Sequence, residues 1–185
     1  MDLITRIYQD QRSVFSAKTI GLLTGITESK SLNRRLNYYV HTHKLLNPRK
    51  GIYTKPDYNK EELACAIFTP SYLSLDYVLQ KTGIIFQYDS TITAVSYLSR
   101  EISITGQSFR YRKIKSAVLT NPKGIIQKPG MNIAVPERAF LDSLYLDKDR
   151  YFDYLENLDK KRIRQLLPIY GQKRLVVIVR KLIDL

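Results

Sequence analysis

The sequence of 185 residues has no tryptophan, two histidines and one cysteine, Cys65. A single cysteine cannot form an intramolecular disulfide and is too few for a zinc site. This composition excludes a disulfide-stabilised secreted scaffold. We therefore expect a cytoplasmic protein in a reducing compartment.

Long apolar runs are also missing. The longest run near the C-terminus, from Leu175 to Val179, has five residues, whereas a transmembrane helix needs about 20. The start, Met1 to Ile4, has no basic-then-apolar leader, so no membrane partner is expected. The 44% of hydrophobic residues is enough for a core and excludes wholesale disorder, with room for one domain or two small ones.

Positive charge is abundant and unevenly placed. The formal net charge is +13. Residues 1–60 carry 11 basic and 4 acidic side chains, residues 61–159 carry 11 and 12, and residues 160–185 carry 8 and 1. Two basic ends around a near-neutral middle predict a polyanion-binding head, and nucleic acid is the commonest intracellular polyanion.

The head, residues 1–58, has the pattern of three helices followed by a β-hairpin. Helical spacing runs over residues 2–11, again after the N-cap Ser16, and a third time in a stripe formed by Leu32, Leu36, Tyr39 and Val40. Pro48 and Gly51 are turn formers between two strand-like runs. This order predicts a winged helix-turn-helix domain.

The rest of the chain, residues 61–185, predicts a small mixed α+β domain with a mostly antiparallel sheet and C-terminal helices. Strands are predicted over 92–98, 102–105, 109–114, 117–119 and 131–135. Helices are predicted over 61–68, from Ser71 to 82, and over 136–146, 151–158, 160–170 and 172–183. Residues 56–60 read as a linker between the two domains.

The third helix carries polar side chains opposite its apolar stripe. Arg can bond guanine bidentately and Asn can bond adenine, and basic residues at a hairpin tip suit DNA phosphate or the minor groove. The alternative is a solvated amphipathic helix. The predicted DNA-binding residues are Ser29, Lys30, Ser31, Asn33, Arg34, Asn37, Arg49 and Lys50.

Catalysis has little support. The chain has no glycine-rich phosphate-binding loop and no serine nucleophile elbow after a strand. Asp76, Glu101, Glu137 and Asp142 could gather a metal, but we interpret them as surface or helix-terminal charges, and Arg138 with Asp142 as a structural ion pair at i, i+4. We expect no enzyme, cofactor or metal. We interpret the charged faces of the basic C-terminal helices as solvent-exposed. The alternative is that these faces form an interaction surface.

Three motifs resemble the AbiEi-like antitoxins of type IV toxin–antitoxin systems, over nearly the whole chain. They are the head ending in Arg49-Lys50-Gly51-Ile52-Tyr53, the run Tyr72–Leu79 leading to Gly83, and the segment Ile133–Asp142. The last of these is the most specific.

The resemblance implies a transcriptional autorepressor that binds inverted repeats in double-stranded DNA. It also implies an antitoxin role in phage defence by abortive infection, against a nucleotidyltransferase-like toxin and without a stable complex. Two alternatives remain at this point: a protein–protein adaptor with a winged helix that does not bind DNA, and an enzyme that modifies nucleic acid or the toxin.

Overall fold

The structure is a computed structural model that describes residues 2–183, and its architecture is α+β. In chain order the elements are α1 (Leu3–Gln9), β1 (Val14–Ser16), α2 (Ala17–Thr24), α3 (Ser29–His41), β2 (Leu46–Arg49), β3 (Ile52–Thr54), α4 (Lys60–Ile67), β4 (Ser71–Leu73), α5 (Asp76–Lys81), β5 (Ile92–Ser96), β6 (Arg100–Ile104), β7 (Gln107–Lys113), α6 (Ser116–Leu119), β8 (Ile125–Lys128), β9 (Met131–Ala134), α7 (Pro136–Leu146), α8 (Lys160–Leu166), a 3-10 helix (Leu167–Tyr170) and α9 (Lys173–Ile183).

The strands form two sheets. The first is antiparallel, with the order β1-β3-β2. The second has the order β6-β7-β5-β4-β9-β8; β5–β7 and β4–β9 pair in parallel, and the other three pairs are antiparallel. The α+β class is therefore confirmed. The second sheet is mixed, and its pairs are mostly antiparallel, as predicted. None of the helices between residues 2 and 183 has the length and apolar character needed to cross a bilayer.

The part of the chain from α1 to β3 is called the N-terminal unit. It packs three helices against the first sheet around its own apolar cluster, which includes Leu3, Ile20 and Leu36. The Tyr39 hydroxyl of α3 donates to Asp2 Oδ2 at 2.8 Å, just before α1. This bond lowers the pKa of the Asp2 carboxyl, and burial together with Asp2 raises the pKa of Tyr39. It fixes α3 against α1.

The N-terminal unit also contacts the rest of the chain, called the body below. The buried Glu62 carboxylate accepts hydrogen bonds from the backbone N–H groups of Ser13, at 2.6 Å, and Val14, at 3.1 Å. Val14 and Ile52 share an apolar cluster with Leu63 of α4. Residues 56–60 thus join two parts that touch directly, and their division at 58 and 61 into separate domains stays a prediction.

Most predicted elements are present, and three assignments are wrong. Residues from Ser71 form strand β4 before α5 begins at Asp76, because Ser71, Tyr72 and Leu73 are all buried and pair with β5. A buried central strand has no alternating pattern that would separate it from a helix. Leu75, with φ of 60°, makes the break between β4 and α5.

The other two wrong assignments lie later in the chain. The predicted strand at 117–119 is the helical turn α6, closed by the bond from Leu119 N to Lys115 O at 2.9 Å. The predicted helix at 151–158 is a loop, anchored where the N–H groups of Asp153 and Tyr154 both donate to Ile84 O. Strands β1 and β8 were not predicted. The residues of β8 lie between two turn-forming segments.

The body is organised around a fully buried ion pair, Arg138–Asp142, on α7. Arg138 Nε lies 3.3 Å from Asp142 Oδ1. The Arg138 guanidinium also donates to Lys123 O at 2.8 Å, Val118 O at 2.7 Å and the Tyr72 hydroxyl at 3.0 Å. The predicted ion pair is confirmed, and it links α7 to β4, α6 and the turn before β8.

Asp142 receives further donors. Its carboxylate accepts from the hydroxyls of Tyr72 at 3.0 Å, Ser74 at 2.8 Å and Tyr170 at 2.7 Å. Burial raises the pKa of this carboxyl, and the positive charge of Arg138 and the three hydroxyls oppose that shift. Because a buried charge without partners is costly, the surrounding elements are held where these bonds can form.

We predict that Asp142→Asn destabilises the protein by about 3–5 kcal/mol, because it leaves the Arg138 guanidinium buried without a counter-charge. Urea unfolding followed by circular dichroism measures this loss. The matched control is Glu101→Gln, which removes the exposed ion pair with Arg110 and should cost less than about 1 kcal/mol. Equal losses in both variants would show that the buried pair does not organise the body.

Candidate nucleic-acid interface

The turn between α2 and α3 is defined by local side-chain and backbone chemistry. The Ser16 hydroxyl caps α2 by accepting from Thr19 N at 3.0 Å, as predicted, and Gly25 ends it with φ of +73°. A Cβ on Gly21 would lie 3.1 Å from Ile26 O and 3.4 Å from Leu32 Cδ2. The missing side chain lets the chain leading into α3 pack closely on α2, which sets the position of α3.

Helix α3 has one buried and one exposed face. Leu32, Leu36 and Tyr39 are buried, as the apolar stripe predicts. Helical geometry places Lys30, Arg34 and Asn37 on the opposite face, and all three are exposed. The exposed row runs over about two turns in the N-terminal part of the helix.

The other predicted α3 residues differ in exposure. Ser29 and Asn33 are exposed, and Ser31 is half-buried. Asn33 lies at the edge of a groove of about 430 Å³ between α2 and α3, which Ser29 also lines. Within residues 2–183, Lys30 and Arg34 form no ion pair. Their charges are available to an anionic partner.

Two residues of this surface were missed from the sequence. Lys18 is exposed in the first turn of α2 and lines the same groove. A cation there opposes the helix dipole, and that unfavourable placement is the signal that could have identified it. Tyr38 is 59% exposed on α3, and its ring packs edge-on against Tyr39 at 5.4 Å between ring centroids.

The β2–β3 hairpin holds its two basic residues differently. The Asn47 amide donates to Arg49 O at 3.0 Å and Ile52 O at 2.7 Å, which closes the turn. Lys50 is exposed at the tip. Arg49 is half-buried, with its guanidinium 5.0 Å from the centre of the Phe68 ring in the body. Only Lys50 extends freely from the turn.

The acidic residues weighed as metal ligands do not form a cluster. Asp76 and Glu101 line a cleft of about 410 Å³, where they pair with Arg150 and Arg110, respectively. Asp142 belongs to the buried network inside α7, so its interpretation as a surface or helix-terminal charge is wrong. Glu137 accepts from Asp159 N at 3.1 Å and is buried. No group of three His, Cys, Asp or Glu residues within the described part of the chain could hold a metal ion.

A comparison of the sequence with models of protein families and with curated proteins found no match. The AbiEi-like resemblance therefore stays a prediction based on the three sequence motifs.

The hairpin geometry predicts unequal roles for its two cations in binding to duplex DNA. Lys50→Ala should reduce the slope of log affinity against log salt by about 0.9, the value for one lost phosphate contact. Arg49→Ala should reduce it less, because the Arg49 guanidinium lies against Phe68. Fluorescence anisotropy of a labelled duplex over a salt series measures both slopes. A wild-type slope for Lys50→Ala would place the tip away from DNA.

Proposed function

We propose that residues 1–58 form a winged helix-turn-helix in which α3 enters the major groove of double-stranded DNA. Three helices followed by the β2–β3 hairpin, with β1 completing a three-stranded sheet, support this assignment. The observation that carries it is the exposed face of α3, where Lys30, Arg34 and Asn37 lie in a row above a buried apolar stripe. The buried stripe packs α3 against its own domain, and the exposed row supplies hydrogen-bond donors to the edges of the bases.

The proposed activity is sequence-specific repression of transcription, including that of the protein's own operon. Phosphate contacts supply affinity without sequence information, and base contacts supply specificity. Lys18 in the first turn of α2 and Lys50 at the hairpin tip would provide phosphate contacts. Arg34 and Asn33 would read bases. No nucleotide, metal or other cofactor takes part in this proposal.

Arg34→Ala and Asn33→Ala test the base-reading role. Each should cost about 1–3 kcal/mol on a duplex from upstream of the protein's own coding sequence, and less on a scrambled duplex of the same composition. Competition binding at fixed salt measures the two affinities. Arg100→Ala on β6 is the matched control for Arg34→Ala, since Arg100 is also exposed and lies outside the N-terminal unit. Unchanged discrimination in both α3 variants would remove the assignment.

We further propose that the body, residues 61–185, performs the antitoxin role that the resemblance implies. The partner would be a nucleotidyltransferase-like toxin encoded beside this gene. The support is the motif at Ile133–Asp142, whose Arg138 and Asp142 organise the body. DNA binding and toxin neutralisation would then use different surfaces.

If DNA binding and toxin neutralisation use different surfaces, a variant that cannot bind DNA should still protect cells from the toxin. The full-length chain with Lys30→Ala, Arg34→Ala and Arg49→Ala should still restore growth to cells that express the toxin. Growth curves measure protection, and circular dichroism controls for folding. If a folded triple variant that no longer binds DNA fails to protect, neutralisation runs through DNA binding and the role given to the body is wrong.

A further inference from the structure

A groove with an apolar floor and a basic rim lies between the 3-10 helix and α9. It has a volume of about 500 Å³. We call it the basic groove; its floor includes Leu167, Pro168 and Val176, and its rim includes Arg164, Lys173 and Arg180.

The positive charge around this groove is not balanced locally. Residues 160–183 contain eight Lys or Arg side chains and no Asp or Glu, and all eight are exposed. The one ion pair that these eight form within residues 2–183 joins Arg162 to Glu137, at 3.4 Å. The rim therefore attracts a negatively charged partner.

A second surface has the opposite character. Four aromatic side chains in two adjacent loops are exposed, by 68% for Phe86, 82% for Tyr88, 76% for Tyr151 and 39% for Tyr154. The loops are held together: Phe86 N donates to Asp153 Oδ2 at 2.8 Å, and Tyr154 N donates to Ile84 O at 3.2 Å. We call these four residues the aromatic patch.

The surroundings of the aromatic patch are acidic. Residues 147–159 contain five Asp or Glu and two Lys or Arg, a net charge of −3 in a chain of +13. All five carboxylates are on exposed residues. Aromatic residues are favoured at the centres of protein interfaces, and charges on the rim select the partner.

We propose that the basic groove of one chain binds the aromatic patch of a second copy. Aromatic rings would pack on the apolar floor, and the rim cations would face the ring surfaces and the carboxylates beside them. The complementary charges of the two surfaces on one chain favour a second copy as the occupant. No residue lining the groove comes from 84–90 or 147–159, so the groove is not filled by the patch of its own chain.

A two-fold pair would make this contact twice, once in each direction. The contact involves no residue of α3 or of the β2–β3 hairpin, so the pairing and the proposed DNA binding use different residues. The pairing is independent of the proposed function, because it requires neither DNA nor a toxin.

The test is the mass of the purified full-length protein in solution without DNA. Light scattering after size-exclusion chromatography at about 0.1 M salt should give twice the chain mass of 21.6 kDa. The double variant Lys173→Glu with Arg180→Glu and the double variant Phe86→Ser with Tyr151→Ser should each be monomeric. Arg100→Glu with Lys113→Glu makes the same charge change on β6 and β7 and should remain a dimer.

Mixing the two monomeric variants tests the contact itself. The groove variant keeps its patch and the patch variant keeps its groove, so the mixture should form a heterodimer through one intact contact. Circular dichroism controls for folding. A wild-type monomer at about 100 μM, a dimer that survives both double variants, or a mixture that stays monomeric would overturn the proposal. If the wild type is a monomer and the groove variant binds DNA more weakly than the wild type, the groove is assigned to nucleic acid instead.

Discussion

The buried guanidinium of Arg138 is the constraint on which the body depends. Its bonds reach β4 through Tyr72, α6 through Val118 O and the turn before β8 through Lys123 O. Asp142 adds the 3-10 helix through Tyr170. A charge at 0% exposure is stable only when all these partners are in place, so one side chain couples the sheet to the helices around it.

This coupling also positions the two surfaces that we assign to self-association. The aromatic patch includes residues from the loop that follows α7, and the basic groove begins at α8 and the 3-10 helix after that loop. Tyr170, which ends the 3-10 helix, bonds Asp142 directly. The groove is thus attached to the core of the body. Glu62 of α4 anchors the N-terminal unit to the body through the backbone of Ser13 and Val14, and the exposed face of α3 takes no part in that contact.

The sequence predicts local elements best where a single segment carries the whole signal. The cap at Ser16, the stripe of α3, the turn between β2 and β3 and the bounds of α7 from Pro136 to Leu146 could all be read this way. Prediction from the sequence fails where residues far away in the chain determine the local structure. Ser71–Leu73 is a strand because β5 and β9 lie on either side. The loop at 151–158 has apolar residues at helical spacing, but the backbone N–H groups of Asp153 and Tyr154 donate to Ile84 O.

In the candidate site too, the sequence predicts features that depend on local spacing and misses those that depend on distant residues. The polar face of α3 follows from residue spacing alone, whereas the position of Arg49 against Phe68 depends on how the hairpin packs on the body, which no local pattern encodes. Similarly, the pairing of Arg138 with Asp142 is visible as i, i+4 spacing. The convergence of Tyr72, Ser74 and Tyr170 on the same carboxylate is not, because these residues are separated by up to 98 positions in sequence.

Photo-crosslinking from α3 tests the central claim, that the exposed face of this helix lies against DNA, most directly. Tyr38 is 59% exposed on that helix, and Tyr88 is 82% exposed in the body, so a benzophenone-bearing phenylalanine can replace either ring with little disturbance. With a duplex from upstream of the coding sequence, irradiation should join the chain to DNA from position 38 and not from position 88. A folded position-38 variant that binds this duplex but gives no crosslink, or no more than position 88 gives, would contradict the account.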